Sequence, residues 1–240
     1  MFYLYCLSDD LTPGILDETR GIADAALRLI EFEGIRAVVS EFESATIGIT
    51  RENVLAHERV VGRVLQETTP LPFRFGTLAD AKRLESYIGS QKSSLLESFD
   101  RVRGAVEMSV KIIWKKAGRA AESDQPTTLA GPAIGETTAG EGTRFLLQKR
   151  SQIVGDDEAK MQSEELRDWL EQHLKDIVRD VSLQVRPTDS MVISASFLVA
   201  RENLSAYRQL MDAARASKPD LRFLTSGPWA PYSFSNLPSQ

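Results

Sequence analysis

The sequence predicts an α+β protein of two domains, each a variant of the ferredoxin-like fold with helices on one face of an antiparallel sheet. Three observations carry this expectation. Apolar residues alternate at strand spacing in both halves of the chain. Amphipathic stripes at helical spacing lie between those strands. The stretch 117–142, AGRAAESDQPTTLAGPAIGETTAGEG, divides the chain into halves of about a hundred residues each, a common domain size. Its only large apolar residues are Leu129 and Ile134, so it buries too little surface to offset the entropy of ordering it. The expected organisation is an N-terminal domain over 1–116 and a flexible linker over 117–142. A C-terminal domain follows over 143–226, with a helical extension in front. A tail over 227–240 is expected to pack between the domains.

In the first half, Phe2, Leu4 and Cys6 alternate with Tyr3 and Tyr5, which is strand spacing. Residues 15–30 admit an amphipathic helix. A hairpin from Leu27 to Ser40 fits better, because Glu33-Gly34 supplies a turn and Gly34 tolerates positive φ. Thr50 is a plausible cap for a helix with Val54, His57, Val61, Val64 and Leu65 on one face, which Pro70 stops. Leu71, Phe73 and Phe75 alternate as a short strand. A second helix carries Leu84, Ile88, Leu95, Phe99 and Val102 and ends near Gly104. Val106, Met108, Val110, Ile112 and Trp114 then form the clearest strand in the chain.

The second half opens on helix, from Phe145-Leu146-Leu147 through a break at Gly155-Asp156-Asp157. A charged amphipathic stretch follows, with Leu166, Trp169, Leu170, His173, Leu174 and Ile177 on one stripe. Val181, Leu183 and Val185 make a strand, Pro187-Thr188-Asp189 a turn, and Met191 to Val199 the return strand. A helix through Leu204, Tyr207, Met211 and Ala214 leads to a last strand at Leu221, Phe223 and Thr225. This half matches the ferredoxin-like order minus its first strand. The first half matches it with a loop in place of the first helix, and one face of each sheet is expected to stay free for docking.

Composition narrows the chemistry. Apolar residues make up 42% and charged residues 26% of the 240, an ordinary globular mixture. No uncharged apolar run reaches 18 residues, so no membrane span is expected, and the first ten residues lack a secretory pattern. The net charge of −5 argues against nucleic acid as the main partner. One cysteine, Cys6, excludes an internal disulfide, and two histidines, His57 and His173, are too few for a zinc framework. Both histidines lie on apolar helix stripes and read as packing residues, and Cys6 reads as a buried thiol. There is no nucleophile elbow, no phosphate-binding glycine loop and no calcium-loop spacing around Asp156-Asp157-Glu158. Lys115, Lys116 and Arg119 read as a solvated strand end. No catalytic residue, cofactor or metal is expected.

Two segments stand apart as candidate partner-binding or interdomain contacts. In Leu71-Pro72-Phe73-Arg74-Phe75-Gly76-Thr77, Arg74 either pairs with an acidic residue of the same chain or holds a partner's carboxylate. In Gly227-Pro228-Trp229-Ala230-Pro231-Tyr232-Ser233-Phe234, two prolines stiffen a segment carrying three aromatics. Exposing Trp229, Tyr232 and Phe234 together would cost solubility, so the tail packs on its own chain or docks to another. The candidate residues are Arg74, Phe75, Gly76, Trp229, Tyr232 and Phe234.

These two segments, with Phe2-Tyr3-Leu4-Tyr5, Ala37-Val38-Val39-Ser40, His57, Glu107-Met108-Ser109-Val110-Lys111 and Gly142-Thr143-Arg144-Phe145-Leu146-Leu147, run in an order that resembles the gas vesicle protein F/L family. Ala230 stands where that family more often has Pro, and Phe145 where Tyr is commoner. The resemblance implies a non-enzymatic accessory or minor structural protein of gas vesicles, located on the vesicle in the cytoplasm. It implies binding to the major hydrophobic shell protein and to other gas vesicle accessory proteins during nucleation and assembly. The competing reading is a small-molecule-binding regulatory or enzymatic ferredoxin-like protein with a ligand between its halves, where His57 and Arg74 would converge. A third is a scaffold for several assembly proteins, docking through its long helical region.

Overall fold

A computed structural model describes residues 1–12, 14–44, 46–115, 161, 164–186 and 190–237. The expectations for the linker 117–142, the helix start at Phe145, the Asp156–Glu158 cluster, Lys116, Arg119 and the turn at Pro187–Asp189 lie outside these residues.

The first sheet is built from β1 (Phe2–Ser8), β2 (Leu27–Phe32), β3 (Ile35–Glu41), β4 (Leu71–Pro72) and β5 (Leu78–Ala79). Its order is β2-β3-β1-β4, with β5 also beside β1, and every pairing is antiparallel. The hairpin wins over the helix at residues 27–40. Glu33 (φ 53°) and Gly34 (φ 87°) form its two-residue turn, whose twist matches that of the strands. A short 3₁₀ turn at Ile22–Asp24 stands between β1 and β2. Helix α1 (Arg51–Leu65) starts at Thr50, whose Oγ1 accepts the Asn53 N–H at 3.2 Å. Helix α2 (Ala81–Val102) starts the same way at Asp80.

This sheet has no free face, contrary to expectation. α1 covers one side: Val60, Val61 and Val64 pack with Tyr3, Tyr5, Cys6 and Val38. α2 covers the other: Leu84, Ile88, Phe99 and Val102 pack with Leu4, Leu7, Ala37 and Val39. A β-bulge in β1, where the register shifts between Leu4 and Cys6, sorts its side chains between the two faces. The extra residue puts Leu7 on the Leu4 side and leaves Cys6 beside Tyr3 and Tyr5. Strict alternation of Phe2, Leu4 and Cys6 therefore does not hold.

The second sheet contains β6 (Ala105–Lys115), β7 (Val178–Arg186), β8 (Ser190–Ala200) and β9 (Arg222–Trp229), in the antiparallel order β7-β8-β6-β9. Its inner face, with Val110, Ile112, Ile193 and Phe197, is covered by helix α3 (residues 164–174) and helix α4 (Leu204–Ser217). Leu166, Leu170 and Leu174 are the buried stripe of α3; His173, expected among them, is exposed and lies against the Trp169 ring at 4.4 Å. β6 falls in the first half of the sequence, yet its hydrogen bonds place it at the centre of the second sheet. There it lies between β8 and β9. Its first residues still reach backwards: Ala105 and Val106 pack into the cores around the first sheet.

The strand expected over residues 71–75 is shorter than its alternation suggests. β4 ends at Pro72, which donates no ladder bond. The chain then turns, with Thr77 N–H and Oγ1 both donating to the Arg74 carbonyl, before β5 rejoins β1. Among the described residues, no helix is long and apolar enough to cross a membrane.

Because α2 closes the second face of the first sheet, Ile88 is a core position with 0% exposure. Ile88→Ala is expected to lower the unfolding free energy by about 2–5 kcal/mol in urea denaturation. A loss below ~1 kcal/mol would mean that α2 is not packed on the sheet.

Candidate functional site

The bulged strand β1 brings two tyrosines to the face covered by α1, and α1 presents His57 to them. His57 is fully buried, with the rings of Tyr3, Tyr5, Phe75 and Tyr232 all 5.7–6.2 Å from its own. Both imidazole nitrogens are occupied: Nδ1 lies 2.9 Å from Tyr3 Oη and Nε2 lies 3.0 Å from Tyr232 Oη. Tyr232 Oη is also 2.9 Å from Glu58 Oε1.

One arrangement of protons satisfies every member. An ionised carboxylate only accepts, so Tyr232 donates its hydroxyl proton to Glu58. Its oxygen then accepts Nε2–H from a neutral His57, whose bare Nδ1 accepts the Tyr3 hydroxyl proton. Tyr3 Oη in turn accepts the Gly76 N–H at 3.1 Å. Tyr5 closes the neighbouring gap, accepting Ile22 N–H at 2.8 Å and lying 3.0 Å from Ser40 Oγ. Burial disfavours charge throughout this cluster. It pushes His57 down to about 4 and raises Tyr3, Tyr5, Glu58 and the Cys6 thiol; for Tyr232 the nearby Glu58 charge adds to the rise.

The tail beyond β9 is fastened residue by residue. Ala230 and Tyr232 pack in the core under α1, and Phe234 packs in the core under α2. Ser233 donates its N–H and its hydroxyl to the buried carboxylate of Glu107, each at 2.8 Å. Arg101 donates to the Phe234 carbonyl. The turn into the tail needs glycine: Gly227 has φ 118°, and a Cβ there would meet the Glu107 carbonyl at 2.7 Å.

Of the six residues singled out in the sequence, four are therefore used inside the molecule. Phe75, Tyr232 and Phe234 pack in the cores, and Gly76 (φ 91°) turns the chain so that its N–H meets Tyr3. Two are exposed. Trp229 is 45% exposed at the end of β9, with Nε1 donating to Ser226 Oγ at 3.3 Å. Arg74 is exposed, and among the described residues no carboxylate lies within ion-pairing distance of it. The convergence of His57 and Arg74 on a ligand does not occur, because Tyr3 and Tyr232 take both nitrogens of His57. Sequence reasoning missed Glu58 and Tyr3. The available signal was the pair of tyrosines on one strand facing the apolar stripe that carries His57. Among the described residues, no group of three or more His, Cys, Asp or Glu side chains could hold a metal ion.

Fold and site together define an α+β protein of two antiparallel sheets whose aromatic segment after β9 packs on both sides of the first sheet and bonds to Glu107 of the second. The family model "Gas vesicle synthesis protein GvpL/GvpF" matches residues 1–236, and the chain belongs to that family. Similar curated proteins include gas vesicle protein L2 of Halobacterium salinarum, 26% identical over 97% of this chain and 90% of its own length. Gas vesicle protein F1 of the same organism is 24% identical, over 92% of this chain and 86% of its own length. Gas vesicle protein F of Nostoc is 25% identical over 98% of each chain. The crystal structure of gas vesicle protein GvpF from Anabaena superposes with a TM-score of 0.76 at 23% identity, covering 99% of this chain and 97% of that one. It shares the fold.

Two outcomes test the buried network. Tyr232→Phe removes the acceptor of His57 Nε2–H and the donor to Glu58, and is expected to cost about 1–3 kcal/mol of stability. His57, with its pKa lowered on folding, contributes stability that is complete above about pH 6.5 and is lost as pH falls through about 4. Burial of Glu58 gives an opposite and partly compensating slope. Denaturant titrations from pH 7 to pH 4 should show stability falling, and His57→Gln should flatten that fall. An unchanged slope in His57→Gln would remove His57 as its source.

Proposed function

We propose that this protein acts in gas vesicle formation by holding the hydrophobic shell subunit before it enters the wall, and so supports nucleation and assembly. Membership of the gas vesicle synthesis family supports the process. The observation that carries the contact is Trp229. Its half-exposed ring stands at the lip of a cleft of about 300 Å³ between α1 and the tail, whose apolar lining includes Val61, Leu65, Val106 and Leu204. Exposed indole beside a cleft with apolar walls is the arrangement of a contact surface. β9 is also an edge strand, so its outer backbone groups can accept an added strand from the partner.

On this reading the two lobes are domains of ferredoxin-like type. Both sheets run in the order second-third-first-fourth strand, which is the order of that pattern, and the tail clamps the lobes together. The protein works by contact and performs no bond-making step. It resides with the vesicle in the cytoplasm, and its net charge of −5 keeps the complex with a greasy subunit dispersed. Other gas vesicle accessory proteins are further partners.

The test is co-purification of the shell subunit with Trp229→Ala. Capture is expected to fall at least about tenfold with the melting temperature unchanged, the loss typical of a buried aromatic anchor. Full capture by Trp229→Ala would overturn the contact, and normal buoyancy in cells lacking the protein would overturn the function.

A further inference from the structure

The outer face of the second sheet, opposite α3 and α4, carries a feature that the cleft beside Trp229 does not use. Strand register places Ser226, Ser109, Ser196 and Ser182 directly opposite one another across β9, β6, β8 and β7. The adjacent row is Leu224, Lys111, Ser194 and Gln184. Neighbouring strands lie about 4.8 Å apart, so the serine row extends for roughly 14 Å. At the β7 end it opens into a cleft of about 260 Å³ whose lining includes Arg74, Ser182, Gln184, Ser233 and Asn236.

The charges on this face do not balance within the chain. Arg74 and Lys111 are both exposed, and neither has an ion-pair partner among the described residues. The two carboxylates at the foot of the sheet are already engaged. Glu107 is buried and takes both donors of Ser233, while Asp180 takes the Val181 N–H at 2.8 Å and lies 3.7 Å from Arg101. Among the described residues, an otherwise acidic chain thus presents three exposed cations without ion-pair partners on this side, Arg74, Lys111 and, one row beyond Leu224, Arg222, among hydroxyl and amide groups.

That surface suits one kind of occupant. An apolar segment would strand the hydroxyls of Ser109 and Ser182, which, unlike Ser226 and Ser196, have no side-chain partner among the described residues. A carboxylate fits the guanidinium fork of Arg74 in a bidentate pair, with serine and amide donors beside it. From Gln184 to Lys111 is two strand spacings, about 10 Å, which side chains three residues apart also span from one side of a polyproline-type extended chain, with three residues per turn and about 3.1 Å rise. We propose that the outer face of the second sheet binds an extended acidic segment of a partner protein, one carboxylate in the Arg74 cleft and another at Lys111. This contact is separate from shell-subunit binding at Trp229, and either stands if the other fails.

The test is fluorescence anisotropy of a labelled decaglutamate peptide with the full chain at 50 mM salt. Binding is expected, weakened at least threefold by Arg74→Gln or Lys111→Gln and at least tenfold by both. Lys82→Gln, an exposed cation at the start of α2, should change it less than twofold. Melting temperatures report folding, and Gln184→Glu gives a second route to the same loss by adding a repelling charge while Arg74 stays in place. The proposal is overturned if the native chain does not bind decaglutamate, or if Lys82→Gln costs as much as the double variant. It is also overturned if decathymidylate binds more tightly with the same dependence on Arg74 and Lys111, because the occupant would then be a nucleic acid phosphate.

Discussion

Much of this structure depends on a single neutral imidazole. His57 is buried on α1, and it bridges a tyrosine from the first strand to a tyrosine of the tail that in turn meets Glu58. Removal of any one member leaves a buried donor or acceptor unmatched, which costs more than the bond itself contributes. The network therefore joins residues 3, 57, 58, 76 and 232, which are far apart in sequence, and it makes the position of the tail a property of the first lobe's core. Gly227 works toward the same end from the other side, since only a residue without Cβ can pass the Glu107 carbonyl there.

The bulge in β1 has a comparable reach. One extra residue between Leu4 and Cys6 turns Tyr3, Tyr5 and Cys6 toward α1 and Leu4 and Leu7 toward α2. With α1 on one side and α2 on the other, both faces of the first sheet are core, and the second sheet offers an open face. Its inner side is as apolar as the first sheet's, while its outer side carries serine, lysine and glutamine. The asymmetry between the two sheets is thus a matter of which helices are present to cover them: α2 has no counterpart on the outer side of the second sheet among the described residues.

Much of this was legible in the sequence, and the parts that were not have physical reasons. Alternation over Val106–Trp114 and the stripe Leu84–Val102 marked β6 and α2 because Met108, Val110 and Ile112, and Leu84, Ile88, Leu95, Phe99 and Val102, are each a periodic set of buried side chains. The Glu33-Gly34 turn marked the first hairpin because few residues accept positive φ there. Strand partnership was not legible: β6 reads the same whichever sheet receives it, and only its hydrogen bonds place it with β8 and β9. The bulge was invisible because it adds no special residue, and the turn at Arg74–Thr77 was hidden by the alternating Leu71, Phe73 and Phe75. The candidate site divided along the same line. Aromatic character alone cannot separate Trp229, which is exposed, from Tyr232 and Phe234, which are not; the difference is the length of tail needed to reach each core.

β6 enters the molecule between the two cores of the first lobe, at Ala105 and Val106, and two residues later it is the spine of another. A continuous strand has no swivel point, since bending it would break ladder bonds on both sides at once. The cleft beside Trp229, which Val106 lines, and the serine face, which includes Ser109, therefore share one strand, three residues apart. Anything that touches both must bring a matching span of its own.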